Sequence, residues 1–302
     1  MATIQVLKPK FHIDECLEQI RECLEKGWTG SGFKTAEFEK KWKEYTGHAN
    51  ACYLNSNTAG LHLAVNILKR RYGWQDGDEI ISSPITFVST NHAIMYERMK
   101  PCFADVDEYL CIDPAAVEKK INDKTRAIMF VGYGGRVGQL DKIIALCKKY
   151  GLRLILDAAH MSGTRVNGVF PGTWEGVDVA VYSFQAVKNL PTGDSGMICF
   201  ADEALDKECR MVSWMGINKD TYARTTSEGT YKWNYGVDYL GYKYNGNAVM
   251  AAIALAQLPY LDEENARRRE IAAMYNKAFS TNPKIHIIGA PYADECSYHI
   301  YE

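Results

Sequence analysis

The chain has 302 residues, of which 47% are hydrophobic and 24% charged, and its formal net charge at pH 7 is −2. Those are the proportions of a globular chain, long enough for one large domain or two smaller ones. With no Lys/Arg run in a near-neutral chain, a phosphate-tracking surface is excluded and no nucleic-acid partner is expected.

The N-terminal stretch MATIQVLKPKF lacks the apolar core of a signal peptide. No run of about 20 apolar residues occurs, so no membrane span is expected. The cysteines are Cys16, Cys23, Cys52, Cys102, Cys111, Cys147, Cys199, Cys209 and Cys296. Their number is odd, they form no C-x-x-C pair, and they sit in apolar stretches. Zinc and thioredoxin-like readings therefore lack their spacing, and the thiols are expected to be reduced and mostly buried in a cytoplasmic protein.

In chain order, the first predicted strand is Ala51–Leu54. Asn55-Ser56-Asn57-Thr58-Ala59-Gly60 follows it and opens a helix in which Leu61, Ala64, Val65 and Leu68 recur at i, i+3, i+4 and i+7. Small and hydroxyl residues at a helix N-terminus suit a phosphate, and equally an ordinary N-cap. A P-loop is excluded, because no G-x-x-x-x-G-K-[ST] occurs. Glu79–Ser82 is the next strand. After it come Pro84–Thr90, where Phe87 is placed either to stack on a planar ring or to join the core. Pro101–Ala104 is a strand, and Asp113-Pro114 caps a helix over Ala115–Ile121. Ala127–Gly132 reads as a strand and Leu140–Tyr150 as a helix ending before Gly151.

Arg153–Leu156 is a strand that delivers Asp157-Ala158-Ala159-His160. An acid there can hold a cation, a ribose or a metal, or merely cap the turn. Val177–Ser183 is another strand, followed by Lys188 among apolar residues and then by the turn Thr192–Gly196. A partly desolvated amine at a strand end is a better Schiff-base nucleophile than a solvated one. Met197–Phe200 closes the strand series. Helical patterns follow at Ala248–Leu261 and Glu263–Phe279.

Alternating strands and helices predict an α/β fold with a mostly parallel central sheet of about seven strands and helices on both faces. A large domain is expected over 1–245. A smaller, helix-led unit over 246–302 is expected to be incomplete. Ligands of such sheets lie beyond the strand carboxyl ends, where all four groups fall. A phosphate nest, an aromatic face, a carboxylate and a lysine together suit pyridoxal 5′-phosphate (PLP), which needs a lysine imine and an acid beside its ring nitrogen.

With these residues in view, the chain resembles the DegT/StrS family of sugar aminotransferases, of PLP fold type I. The resembling segments are Gly27-Trp28-Thr29-Gly30 with Phe38-Glu39, Ser56–Ala59, Thr86-Phe87-Val88 with Thr90-Asn91, Asp157–His160, Ser183-Phe184 with Lys188, Gly241–Asn245, and Ala251-Ala252 with Gln257-Leu258. The resemblance implies that Lys188 forms the Schiff base and Asp157 pairs with the pyridinium. It implies that Phe87 stacks on the ring with His160 beside it. It implies that Ser56, Asn57, Thr58, Ala59 and Ser183 form the phosphate site. Asn245, with Lys243 as competitor, would reach the cofactor of a second subunit, so a homodimer is implied. The implied substrates are a nucleotide-linked keto-sugar and an amino-acid donor, glutamate, with no metal.

Asn57 stands where the family has Gly, Gly132–Gly135 where it has a His-led stretch, and Asp194 where Glu is common. The chain stops at Glu302, shortly after the H-x-Y segment His299–Tyr301, where the resemblance leads one to expect several dozen further residues; a fragment, or a compromised activity, is the expectation. Alternatives are other PLP chemistry on the same scaffold (a dehydratase or an aminated-ring synthase) and a non-catalytic PLP-binding homologue. Lys188 disfavours the sugar-dehydratase branch, where His is expected.

Overall fold

The computed structural model describes residues 8–218, 235–290 and 295–302. Seven strands form one sheet: β1 (Cys52–Leu54), β2 (Glu79–Ser82), β3 (Lys100–Phe103), β4 (Thr125–Val131), β5 (Arg153–Asp157), β6 (Val179–Ser183) and β7 (Gly196–Phe200). Their order is β1-β7-β6-β5-β4-β2-β3. Strands β2 to β6 are mutually parallel, whereas β7 pairs antiparallel with both β6 and β1. The mostly parallel α/β fold expected from the sequence is the one found.

Each central strand is apolar on both faces, which is what a sheet covered on both sides requires. Leu154 and Leu156 of β5 enter one core, and Ile155 enters the other; Ala180 and Tyr182 of β6 divide from Val179 and Val181 in the same way. The first core is covered by α2 (Phe33–Thr46), α6 (Leu140–Tyr150) and α8 (Ala248–Gln257). The second is covered by α3 (Asn57–Tyr72), α4 (Ser89–Tyr96) and α7 (Glu203–Ser213). The remaining helices are α1 (Ile13–Glu25), which packs on α8, α5 (Pro114–Glu118) and the long α9 (Leu261–Phe279). Where a second unit is expected to begin, Ala251 and Ala254 of α8 lie in the same core as β5 and β6.

The predicted caps have their physical cause on view. Asp113 accepts from the N–H groups of Ala115 and Ala116, and Pro114 opens α5. The helix stops at Glu118, short of the expected Ile121. Gly151 ends α6 with φ of 67°, a left-handed conformation that glycine adopts without a Cβ penalty. Eight cysteines are buried, Cys102 is half-buried, and all are free. Among the described residues, no helix is long and apolar enough to cross a membrane, and no group of three or more His, Cys, Asp or Glu is placed to hold a metal.

Candidate active site

The carboxyl ends of β4, β5 and β6 and the N-terminus of α3 surround a cavity of about 540 Å³. That is ample for a cofactor-sized ligand. Asp157, the last residue of β5, lies at its floor, only 3% exposed. Its Oδ2 accepts a hydrogen bond from the Thr90 hydroxyl at 2.7 Å, and Oδ1 accepts from the Ala159 N–H at 3.2 Å. The Asn57 amide donates to Oδ1 at 3.5 Å and to Val181 O at 3.0 Å. Burial pushes the carboxyl pKa up, while the Thr90 hydroxyl, the Ala159 N–H, the Lys188 charge and the Asn57 amide pull it down.

Lys188 faces this acid across the cavity, on the connection between β6 and β7. Main-chain bonds pin that connection: Phe184 N–H donates to Ser195 O, Thr192 N–H to Phe184 O, and Ala186 N–H to Gly193 O. The Thr192 hydroxyl adds a bond of 2.6 Å to Phe184 O. Burial lowers the Lys188 pKa, and Asp157 opposes it. The amine therefore loses its proton more readily than a solvated lysine.

Ser56 caps α3, its hydroxyl accepting from Ala59 N–H at 3.1 Å. The helix N-terminus, with Thr58 and Ser183 beside it, lines the same cavity. An anion there would meet the positive end of a helix. Phe87 is 73% exposed and also lines the cavity. A ring left this open has a face available for stacking.

His160 is neutral: burial lowers its pKa to about 3, and the Lys188 charge adds to that. Its Nδ1 accepts from Gly134 N–H at 3.1 Å, which leaves Nε2 carrying the proton. The His299 ring lies against it, 4.3 Å between centroids. His299 Nδ1 donates to Asn189 Oδ1 at 2.9 Å, and burial brings its pKa to about 2. The segment bearing His299 is bound to the loops of the site. Its N–H donates to Gly134 O at 3.1 Å, and the Ser297 hydroxyl donates to His160 O. Gly135 makes this approach feasible, because a Cβ there would stand 2.1 Å from the Ser297 hydroxyl.

The structure thus brings Ser56, Asn57, Thr58, Phe87, Asp157, His160, Ser183 and Lys188 to one cavity. Ala59 lies on an adjoining hollow of about 360 Å³ with His62, Tyr96 and Tyr244. Asn245 does not face Lys188 of its own chain. It lines a separate cavity of about 390 Å³ with Trp28, Trp214 and Lys243. Thr90, Tyr133, Asn189 and His299 belong to the surroundings of the site without having been singled out as site residues from sequence. For Thr90 and His299 the signal was present, since each falls in a segment noted for its resemblance.

The donor set fits PLP: a buried acid, a lysine with a lowered pKa, a helix N-terminus flanked by hydroxyls, and an exposed aromatic face.

Comparison with known proteins agrees. Residues 12–302 match the DegT/DnrJ/EryC1/StrS aminotransferase family. The spore coat polysaccharide biosynthesis protein SpsC of Bacillus subtilis (strain 168) is 38% identical over 270 residues, which is 89% of this chain and 67% of that protein. The crystal structure of the sugar aminotransferase CalS13 from Micromonospora echinospora superposes with a TM-score of 0.87 at 28% identity, covering 99% of this chain and 79% of that one. Spr1654 of Streptococcus pneumoniae in its PLP form gives a TM-score of 0.86 at 25% identity, over 99% of this chain and 77% of that one.

Proposed function

Because the chain belongs to the DegT/DnrJ/EryC1/StrS aminotransferase family, we propose that, as a PLP-dependent transaminase, it moves an amino group from glutamate to a nucleotide-linked keto-sugar. The observation that carries this reading is the pairing of buried Asp157 with Lys188 across one cavity. PLP supplies the electron sink that makes the proton on the amine-bearing carbon acidic.

In this reading Lys188 anchors the cofactor, and its Nζ then carries the proton to and from that carbon, a task suited to an amine with a lowered pKa. Asp157 holds a proton on the ring nitrogen through its negative charge. The N-terminus of α3, with Ser56, Thr58 and Ser183, binds the phosphate. Phe87 covers one ring face and neutral His160 lies beside it. Asn245, turned away from its own Lys188, serves the site of a second subunit, and the protein acts as a homodimer.

The test is incubation of the purified, PLP-loaded protein with glutamate and a panel of nucleoside diphosphate keto-sugars. Formation of 2-oxoglutarate and an amino sugar is expected, and Lys188→Ala should abolish it. Sedimentation at micromolar concentration should return the mass of a dimer. PLP uptake without amino transfer to any keto-sugar would instead favour other chemistry on the scaffold.

A further inference from the structure

The buried acid at the floor of the site has more donors than its neighbours in sequence supply, and one of them comes from an unexpected place. Asn57 is the first residue of α3, a helix buried nearly throughout from Asn57 to Leu68, and it is a polar side chain among mostly apolar ones. Here it is buried and aimed at the carboxyl ends of β5 and β6. Its backbone cannot move aside. Gly196 of β7 approaches so closely that an added Cβ would lie 2.6 Å from Asn57 N and 2.7 Å from Ser56 C. The side-chain amide therefore has a fixed origin and two acceptors, Val181 O at 3.0 Å and Asp157 Oδ1 at 3.5 Å.

We propose that Asn57 is a positioning residue for the acid of the site: its amide, anchored on Val181 O, keeps the Asp157 carboxylate ionised and fixed in orientation. This inference rests on the PLP reading and adds to it. The donors come from three directions, Asn57 from α3, Thr90 from α4 and Ala159 from the turn after β5. Each hydrogen bond to the charged form lowers the pKa that burial raises. Lys188, on the β6–β7 connection, is the charged group acting on the acid, and His160 just beyond it is neutral. The Gly that the phosphate-turn resemblance would place at 57 brings no donor, so in this chain the turn does double duty.

The experiment is the PLP dissociation constant as a function of pH, measured by equilibrium dialysis for the parent, Asn57→Ala and Asn57→Gly. Binding a pyridinium needs an ionised acid, so affinity falls on the acid side as Asp157 takes up its proton. Removing a donor to the carboxylate raises the pH at which that happens. Both variants should show the acid limb displaced upward by a fraction of a pH unit, up to about one, because a 3.5 Å contact lies at the long end for a hydrogen bond to a charged group. Lys188 titrates in parent and variants alike, and the same series with pyridoxal, which lacks the phosphate, separates a limb set by the phosphate turn from one set by Asp157. An affinity lowered equally at every pH would mean that Asn57 only anchors the turn, and would overturn the proposal. If the parent takes up no PLP, the functional reading falls and this one with it. PLP uptake by the parent with an unshifted limb in both variants sinks the role of Asn57 alone.

Discussion

Asp157 is held by one main-chain N–H, one amide and one hydroxyl, and these donors decide what a neutral replacement does. In Asp157→Asn the side-chain oxygen can keep the Ala159 and Asn57 bonds, leaving its NH₂ toward Thr90. The Thr90 hydroxyl can turn round to accept, because Thr86 Oγ1 lies 2.7 Å away and can take its proton. The variant should therefore fold and take up the cofactor only at raised PLP concentration, because the charge that favours the pyridinium is lost. Single-turnover amino transfer from glutamate is expected to fall by roughly 10²–10³, the usual consequence of removing a transition-state stabiliser; a rate within about twofold of the parent would refute the pyridinium assignment. Asp157 and Lys188 were legible in the sequence because each follows an apolar strand. The reach of Asn57 to Asp157, across 100 residues, was not, since nothing local to Asn57 announces which strand end will face it.

Among the elements, every predicted strand exists, within two residues of its expected ends. Apolar β-branched runs bounded by Gly, Pro or Asp leave little choice when both faces are buried. Helices α1, α2, α4 and α7 carried no assignment. In α2 the buried positions are Lys34, Thr35 and Thr46 alongside Phe38 and Trp42, so its inward stripe is more polar than apolar. In α4 eight residues give barely two turns of period to read. The junction of β7 with α3 was likewise beyond local reading, and it carries a prediction. A Cβ at Gly196 would stand within 3 Å of Asn57 N, Ser56 C and Tyr182 O, all main-chain atoms that cannot rotate away. Gly196→Ala should destabilise the protein by about 1–3 kcal/mol, as overpacking does, and weaken PLP binding by shifting the α3 N-terminus. Urea denaturation and PLP titration of the same variant check both effects.

At the scale of the whole molecule, buried neutral histidines make stability depend on pH. His48, bonded through Nε2 to the Tyr182 hydroxyl at 3.0 Å, is brought to about 4 by burial. The unfolded chain protonates it near its ordinary value, while the fold keeps it neutral, so its contribution is full above about 6.5 and is lost as pH falls toward 4. Glutamine can keep a bond to Tyr182 but does not titrate. Relative to the parent, His48→Gln should gain roughly 1 kcal/mol for each unit of acidification between pH 6 and 5, measured by denaturant unfolding; a constant difference would refute this. The sheet order has another consequence, for the history of each molecule. Residues 52–54 must find residues 196–198, and Asn57 must find Val181 across 124 positions. On the ribosome the parallel strands from β2 to β6 emerge before β7 exists, and domains tend to fold from the N-terminal side as they appear. Strand β1 and the start of α3 must wait, unpaired, until β7 (Gly196–Phe200) has been made, because contacts so distant in sequence close late. The phosphate turn then docks after the parallel strands have met, so PLP meets a sheet already assembled and cannot template its early pairing.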